Sequence, residues 1–402
     1  MDCMFQICSN LTNIDVSKFN TAKVKNMNWM FYQDPKLQSA DLSNFDFSNV
    51  EKFGSVFAED SALTKVVFPK AADWSKIEDL SYLFYQCGNL TSVTMPNACK
   101  TENLTNTHAM FYGCNKLTAI DTSCLKTDLV TDISFMFANC NALTALDVSK
   151  FHTSNAQDMQ YMFYGCSNVS VIDVSGFDTA KVTNMQALFN SCSKVKILDV
   201  AGFDTSKVTD MQYMFWGCES ITTLDVSNFD TSNVTNMYDM FASCTQLSSL
   251  DCSSFNTSKV TNTRAMFGNC YALKTIDVSN FDTSNVTNMQ DMFASCYKVT
   301  TLDCSSFDTS KVTNMRGMFW HCYELTTIYA SDLWVIANVG SVVDETTYGA
   351  FVFSNDTKLK SGTSGKSYSA GNDTYHMANY QSGYLTYKAA SQKLSSNDVA
   401  KS

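Results

Sequence analysis

Cysteine, aspartate and serine are the residue types whose spacing in this chain could support chemistry. Cys8, Cys87, Cys114, Cys140, Cys166, Cys192, Cys218, Cys244, Cys270, Cys296 and Cys322 recur at one phase of a 26- or 27-residue interval. Such thiols could form bridges, hold zinc or act as nucleophiles. Stacked one coil above the next, however, their Cβ atoms would stand about 4.8 Å apart, beyond the roughly 3.5–4.5 Å of a disulfide. The chain also has no Cys-x-x-Cys pair, which argues against zinc. The column therefore reads as buried thiols, small apolar groups whose weak S–H donor satisfies a turn. Asp34 and Asp60 occupy the same phase and fit that role as polar acceptors.

Aspartate forms a second column at Asp15, Asp41, Asp121, Asp147, Asp173, Asp199, Asp225, Asp251, Asp277 and Asp303. Like charges about 5 Å apart repel, so each carboxylate must accept local hydrogen bonds or share a cation. Hydrogen bonding within the chain is the expectation. Asp199, Asp225, Asp251 and Asp277 are the weaker alternative, a divalent-cation edge. Calcium takes about six to eight oxygens, and no compact Asp/Asn/Gly loop supplies them.

Catalysis finds no support in the spacing. His108, His152, His321 and His376 are scattered, and no Gly-x-Ser-x-Gly, His-Glu-x-x-His, phosphate-loop or dinucleotide signature occurs. Serine and aspartate recur together, but a nucleophile needs a positioned base. The expectation is a protein without enzymatic activity or cofactor.

Aromatic residues offer the better surface. Tyr161, Tyr164, Tyr213, Trp216 and Tyr238 stand at repeat positions where neighbouring units carry Ala, Gly, Gln, Arg or Asn, so the core does not demand a ring there. Rows of Trp and Tyr suit a protein or glycan ligand, since these residues are enriched at contacts. Covering the ridge between coils is the competing role.

The elements that position these residues follow from the repeat. A central Phe recurs from Phe5 through Phe31 and Phe57 to Phe319, marking about thirteen coils of a repeat solenoid of leucine-rich-repeat type. No coil can bury its own apolar face, so the core grows by stacking. The segment Leu247-x-x-Leu250-x-Cys252 has the leucine-rich-repeat form, with strand positions alternating in and out, predicting one short parallel strand per coil. Val234, Met237, Met240 and Phe241 have spacings of three and four, predicting a short helical or 3-10 turn with Asn236 as its cap. Between them Asp230, Thr231 and Ser232 are residues that bond their own backbone at a corner.

Composition agrees, with 45% hydrophobic and 17% charged residues over 402 positions. A net charge of −11 with Lys and Arg dispersed argues against nucleic acid as a partner. No run of about 18 apolar residues is long enough for a membrane span. The start, Met1-Asp2-Cys3-Met4-Phe5, lacks a secretory pattern and falls in mid-repeat, so an uncapped first coil that docks onto a partner is one expectation.

The run Leu224-Asp225-Val226-Ser227-Asn228-Phe229-Asp230-Thr231-Ser232-Asn233-Val234-Thr235-Asn236-Met237, with Met240-Phe241-x-x-Cys244 after it, resembles the repeats of BspA-like leucine-rich-repeat surface proteins. The resemblance implies an extracellular or cell-surface, adhesin-like protein that binds host or matrix components. Domains are expected at 1–328 for the solenoid, 329–388 for a degenerate final repeat and cap, and 389–402 for a polar tail. Residues 224–275 and 276–327 are near copies, so the unit of duplication was two coils. Lengthening by copying suits a multivalent surface or spacer. Two functions stay open: a surface protein binding protein or glycan, and a structural component of a virion or extracellular assembly that contacts neighbouring subunits.

Overall fold

The computed structural model describes residues 1–339 and 351–390. The polar tail expected from 389 lies outside the described residues beyond 390, as does the stretch 340–350 of the expected cap. Two compact units divide the chain. The first holds Met1–Phe229 with Ser243–Thr245, and the second holds Asp230–Ala242 and the residues from Gln246 onward.

Each unit is a stack of parallel coils, and the central phenylalanine is the reason. In the first unit, consecutive rings from Phe5 to Phe215 stack with centroids 5.4–6.2 Å apart. In the second, Phe241, Phe267, Phe293, Phe319 and Phe353 stack at 5.6–5.8 Å. From Phe31 onward these rings are buried, each contributing roughly 1.5–3 kcal/mol through burial.

Short strands form where the leucine segment turns inward. In the first unit β1 (Ser39–Asp41), β2 (Lys65–Val67) and β4 (Ser92–Thr94) make one parallel sheet, and β3 (Ala71–Ala72) pairs β5 (Ala98–Cys99) in another. In the second, β6 (Ser249–Asp251) pairs β7 (Thr275–Asp277). A further sheet there runs β8 (Thr301–Asp303), β9 (Thr327–Ala330), β10 (Thr386–Tyr387), also parallel. Between β5 and β6 the same segment lacks a full ladder. Its bonds are stretched there, with Thr144 N–H to Thr118 O at 3.4 Å and Lys196 N–H to Ser170 O at 3.3 Å.

The Met-Phe segment corrects the expected helical or 3-10 turn. Tyr161, Phe163 and Gly165 donate their N–H groups to Gln186, Leu188 and Asn190 of the next coil at 2.8–3.1 Å. Met162, Tyr164 and Cys166 donate back three residues, to Met159, Tyr161 and Phe163, at 3.0–3.3 Å. Alternate N–H groups therefore leave the coil, which an α-helix cannot do. The pattern is three overlapping β-turns, starting at Met159, Tyr161 and Phe163, with left-handed residues at Tyr161 (φ 55°) and Gly165 (φ 71°). Asn236 caps no helix; its Oδ1 accepts the Tyr238 N–H at 3.2 Å in an Asx turn. The only helical turn among the described residues is the 3-10 segment Tyr375–Met377.

Candidate functional site

The aspartate column resolves into turn chemistry. Each of its ten carboxylates accepts the N–H two residues on, at 2.9–3.2 Å, from Ser17 on Asp15 to Ser305 on Asp303. At Asp147, Asp173 and Asp277 the Ser149, Ser175 and Ser279 hydroxyls donate as well, at 2.6–2.7 Å. These bonds hold the Asp147, Asp173 and Asp251 carboxyls below the ordinary range, so they stay ionised in spite of one another. The candidate metal residues Asp199, Asp225, Asp251 and Asp277 all make this bond, Asp199 with Ala201 and the others with serine. Among the described residues no group of three His, Cys, Asp or Glu is placed to hold a metal ion.

The cysteine column is a donor ladder. Cys114 Sγ donates to Phe84 O at 3.2 Å and Cys166 Sγ to Phe137 O at 3.3 Å, and the relation repeats through Cys322 on Phe293 O at 3.1 Å. Burial drives these thiols up, Cys166 and Cys218 to about 12, which makes them poor nucleophiles. Asp34 and Asp60 act in the same column as acceptors, from Cys8 N–H at 2.6 Å and Asp34 N–H at 2.7 Å. Outside the column Cys99 and Cys124, 25 residues apart, form a disulfide that the sequence reading did not find.

A serine, histidine and aspartate do meet across two coils. His108 Nδ1 lies 2.7 Å from Ser134 Oγ, which donates to Asp132 Oδ1 at 2.6 Å. The same Nδ1 lies 3.4 Å from Asp132 Oδ2. A nucleophile relay needs serine and carboxylate on opposite nitrogens of the imidazole. Here one nitrogen serves both, and the serine proton points at the carboxylate rather than at a base. The cluster is structural.

What remains is the ridge of aromatic rings on the β-turn segment. In the first unit Tyr82 meets Tyr85 at 5.3 Å and His108 at 4.9 Å, Tyr85 stacks on Tyr112 at 5.0 Å, and Phe135 stacks on Tyr161 at 4.7 Å. Tyr161 then meets Tyr164 edge-on at 5.6 Å, and Gln186 Nε2 donates to its hydroxyl at 2.8 Å. Burial raises the Tyr161 phenol, and Tyr213, two coils on, is near enough to add to that rise. Trp216 is 37% exposed, whereas Tyr161, Tyr164 and Tyr213 are half-buried. Tyr238 belongs to the second unit, where the Arg264 guanidinium lies over its ring at 5.0 Å. Tyr82 and Phe135 are aromatic repeat positions already evident in the sequence, whereas the place of His108 between them, 4.9 Å from Tyr82 and 5.6 Å from Phe135, emerges only with the coil register.

Parallel coils of 26 or 27 residues, inward leucine strands and a turn ridge define a leucine-rich-repeat-type β-solenoid. The chain belongs to the family described as "Mycoplasma protein of unknown function, DUF285", whose profile matches residues 1–94, 78–197, 187–275 and 249–359. No curated protein matches it. Among solved structures it is similar to a leucine-rich repeat protein of Bacteroides ovatus, at 15% identity over 81% of this chain and 82% of that one, with a TM-score of 0.37. A leucine-rich cell surface protein of Faecalibacterium prausnitzii matches at 16% identity over 89% of this chain and 87% of that one, TM-score 0.37. The functional domain of InlJ from Listeria monocytogenes, which includes a cysteine ladder, matches at 18% over 71% and 67%, TM-score 0.27.

Proposed function

We propose that this chain is a non-enzymatic surface protein whose first unit docks a protein partner through the turn ridge from Tyr82 to Trp216. One observation carries the reading: an unbroken chain of ring contacts runs from Tyr82 through Tyr85, Tyr112, Phe135 and Tyr161 to Tyr164. The core does not need these rings, because Met159, Met162 and Phe163 already fill the inner side of that coil. Rings fixed by their neighbours lose little entropy on contact, which is why Tyr and Trp dominate protein-binding hot spots. The Cys99–Cys124 bridge supports an oxidising, extracellular setting.

Photocrosslinking from an aryl-ketone residue at position 216, with extracellular-matrix protein present, tests the proposal. A discrete protein adduct is expected there and not from the same probe at position 225. Equal adducts at both positions would contradict it.

A further inference from the structure

The second unit carries a hollow of about 470 Å³ on its own turn ridge, lined by Gln290, Asp291, Arg316, Gly317, Trp320 and Phe351 among others. Its size lies within the range of small-molecule sites. One position distinguishes this coil from its neighbours. Phe135, Tyr161 and Tyr213 occupy the left-handed position of their coils in the first unit, and Phe351 occupies it here, but the coil between Asp291 and Phe351 has Gly317 at that position. A Cβ on Gly317 would stand 2.1 Å from Asp291 Oδ1, so the carboxylate occupies the space of the missing side chain.

That carboxylate is positioned rather than loose. Gln290 Nε2 donates to Asp291 Oδ2 at 2.9 Å, and Asn314 Nδ2 holds Gln290 Oε1 at 3.1 Å. Beside it stand two large apolar surfaces, Trp320 at 39% and Phe351 at 51% exposure. The Trp320 indole is braced by the His321 ring, with centroids 4.0 Å apart.

We infer that this hollow binds a neutral pyranose, stacked on Trp320 and Phe351 with its hydroxyls on Asp291, Gln290 and Arg316. A pyranose has an apolar C–H face and an edge of hydroxyls, and the hollow offers one surface for each. Aromatic faces take the first, and a carboxylate accepts strong charge-assisted bonds from the second. The Asp291 carboxylate has the Arg316 guanidinium beside it, so the hollow pairs one charge of each sign and suits a neutral ligand. The site is separate from the first-unit ridge, so it stands or falls independently of that reading.

The test probes the full chain on an array of neutral, sialylated and sulfated oligosaccharides, with saturation-transfer NMR on any glycan retained. Retention on a subset of neutral glycans is expected, reduced at least tenfold by Trp320→Ala and by Gly317→Phe, whose Cβ would displace the Asp291 carboxylate. Trp216→Ala should leave it unchanged. Near-ultraviolet circular dichroism identifies a variant that fails to fold, and Asp291→Asn then serves as the substitute, with the same tenfold loss expected. No retention on any neutral glycan, retention confined to anionic glycans, or equal retention by the folded variants would overturn the assignment, as would capture of peptide in place of sugar.

Discussion

Phe135 and Tyr161, one coil apart, lie face to face with centroids 4.7 Å apart and planes 8° from parallel. The pair sits on the ridge, whereas Phe255 sits inside, 3% exposed and 6.4 Å from both Phe241 and Phe281. The two locations predict different consequences. Phe255→Ala should cost about 3–5 kcal/mol locally, because it leaves a cavity between coils. Tyr161→Ala should lose the stacking contribution of about 0.5–1.5 kcal/mol plus the area of a half-buried ring. Native-state hydrogen exchange of the flanking coils measures both, and equal costs would remove the distinction between core and ridge.

The thiol ladder makes a second prediction. Cys3 is exposed, while the column thiols from Cys87 to Cys322 are buried, and burial drives the Cys87 and Cys322 thiols well up. At neutral pH an alkylating reagent should modify Cys3 at once, Cys8 more slowly, and the buried thiols only after denaturation. Cys99 and Cys124 should require reductant as well as denaturant. Rapid native labelling of the column, or mass spectra with bridges among its members, would contradict the S–H to carbonyl ladder.

Two buried acids set a pH dependence. Burial pushes Asp60 up to about 9, with the Asp34 N–H bond opposing and the Asp34 charge adding, and pushes Asp34 up to about 6 with the Cys8 N–H bond opposing. Asp60 Oδ2 is buried without a partner, whereas in the next coil Cys87 Sγ donates to Phe57 O at 2.9 Å. A proton on Oδ2 restores the donor that the column uses. The folded state holds these protons and the unfolded chain releases them near the ordinary value of 3.8, so their contribution is full below that pH. It is lost as pH rises through about 6 for Asp34 and about 9 for Asp60. The melting midpoint should fall between about pH 5 and pH 9, and Asp60→Asn should flatten the upper part of that fall. A midpoint that rises over the same range would be the opposite sign.

The fold was legible because its period is rigid. Phe163 to Phe189 to Phe215 is one residue type at one interval, and only stacking explains it. The turn segment was misread because Val234, Met237, Met240 and Phe241 carry spacings that suit a helix and equally suit consecutive β-turns. Gly113, Gly165 and Gly217, all at positive φ four residues after another left-handed residue, were the discriminating signal. Tyr and Asp in the first left-handed position, at Tyr161 and Asp239, concealed it. Hydrogen bonding within the chain was expected for the aspartate column from the repulsion of like charges, but its partner two residues on, Ser227 at Asp225 and Ala201 at Asp199, was not. The Tyr82 to Tyr164 continuity and the His108, Asp132 and Ser134 cluster depend on which residues of adjacent coils share a register. Residue spacing alone does not specify ring orientation.

Binding of the full chain to an array of immobilised extracellular-matrix proteins tests the central proposal most directly. Hot spots concentrate in Trp and Tyr, so Tyr213→Ala with Trp216→Ala should weaken binding by more than about 1–2 kcal/mol, roughly tenfold, with the folded content unchanged. Asp225→Asn, which keeps an acceptor for the Ser227 N–H on the strand side, should bind as the parent does. Binding that survives the double ridge variant but disappears with Asp225→Asn or with chelator would place the functional face on the aspartate column and contradict the account.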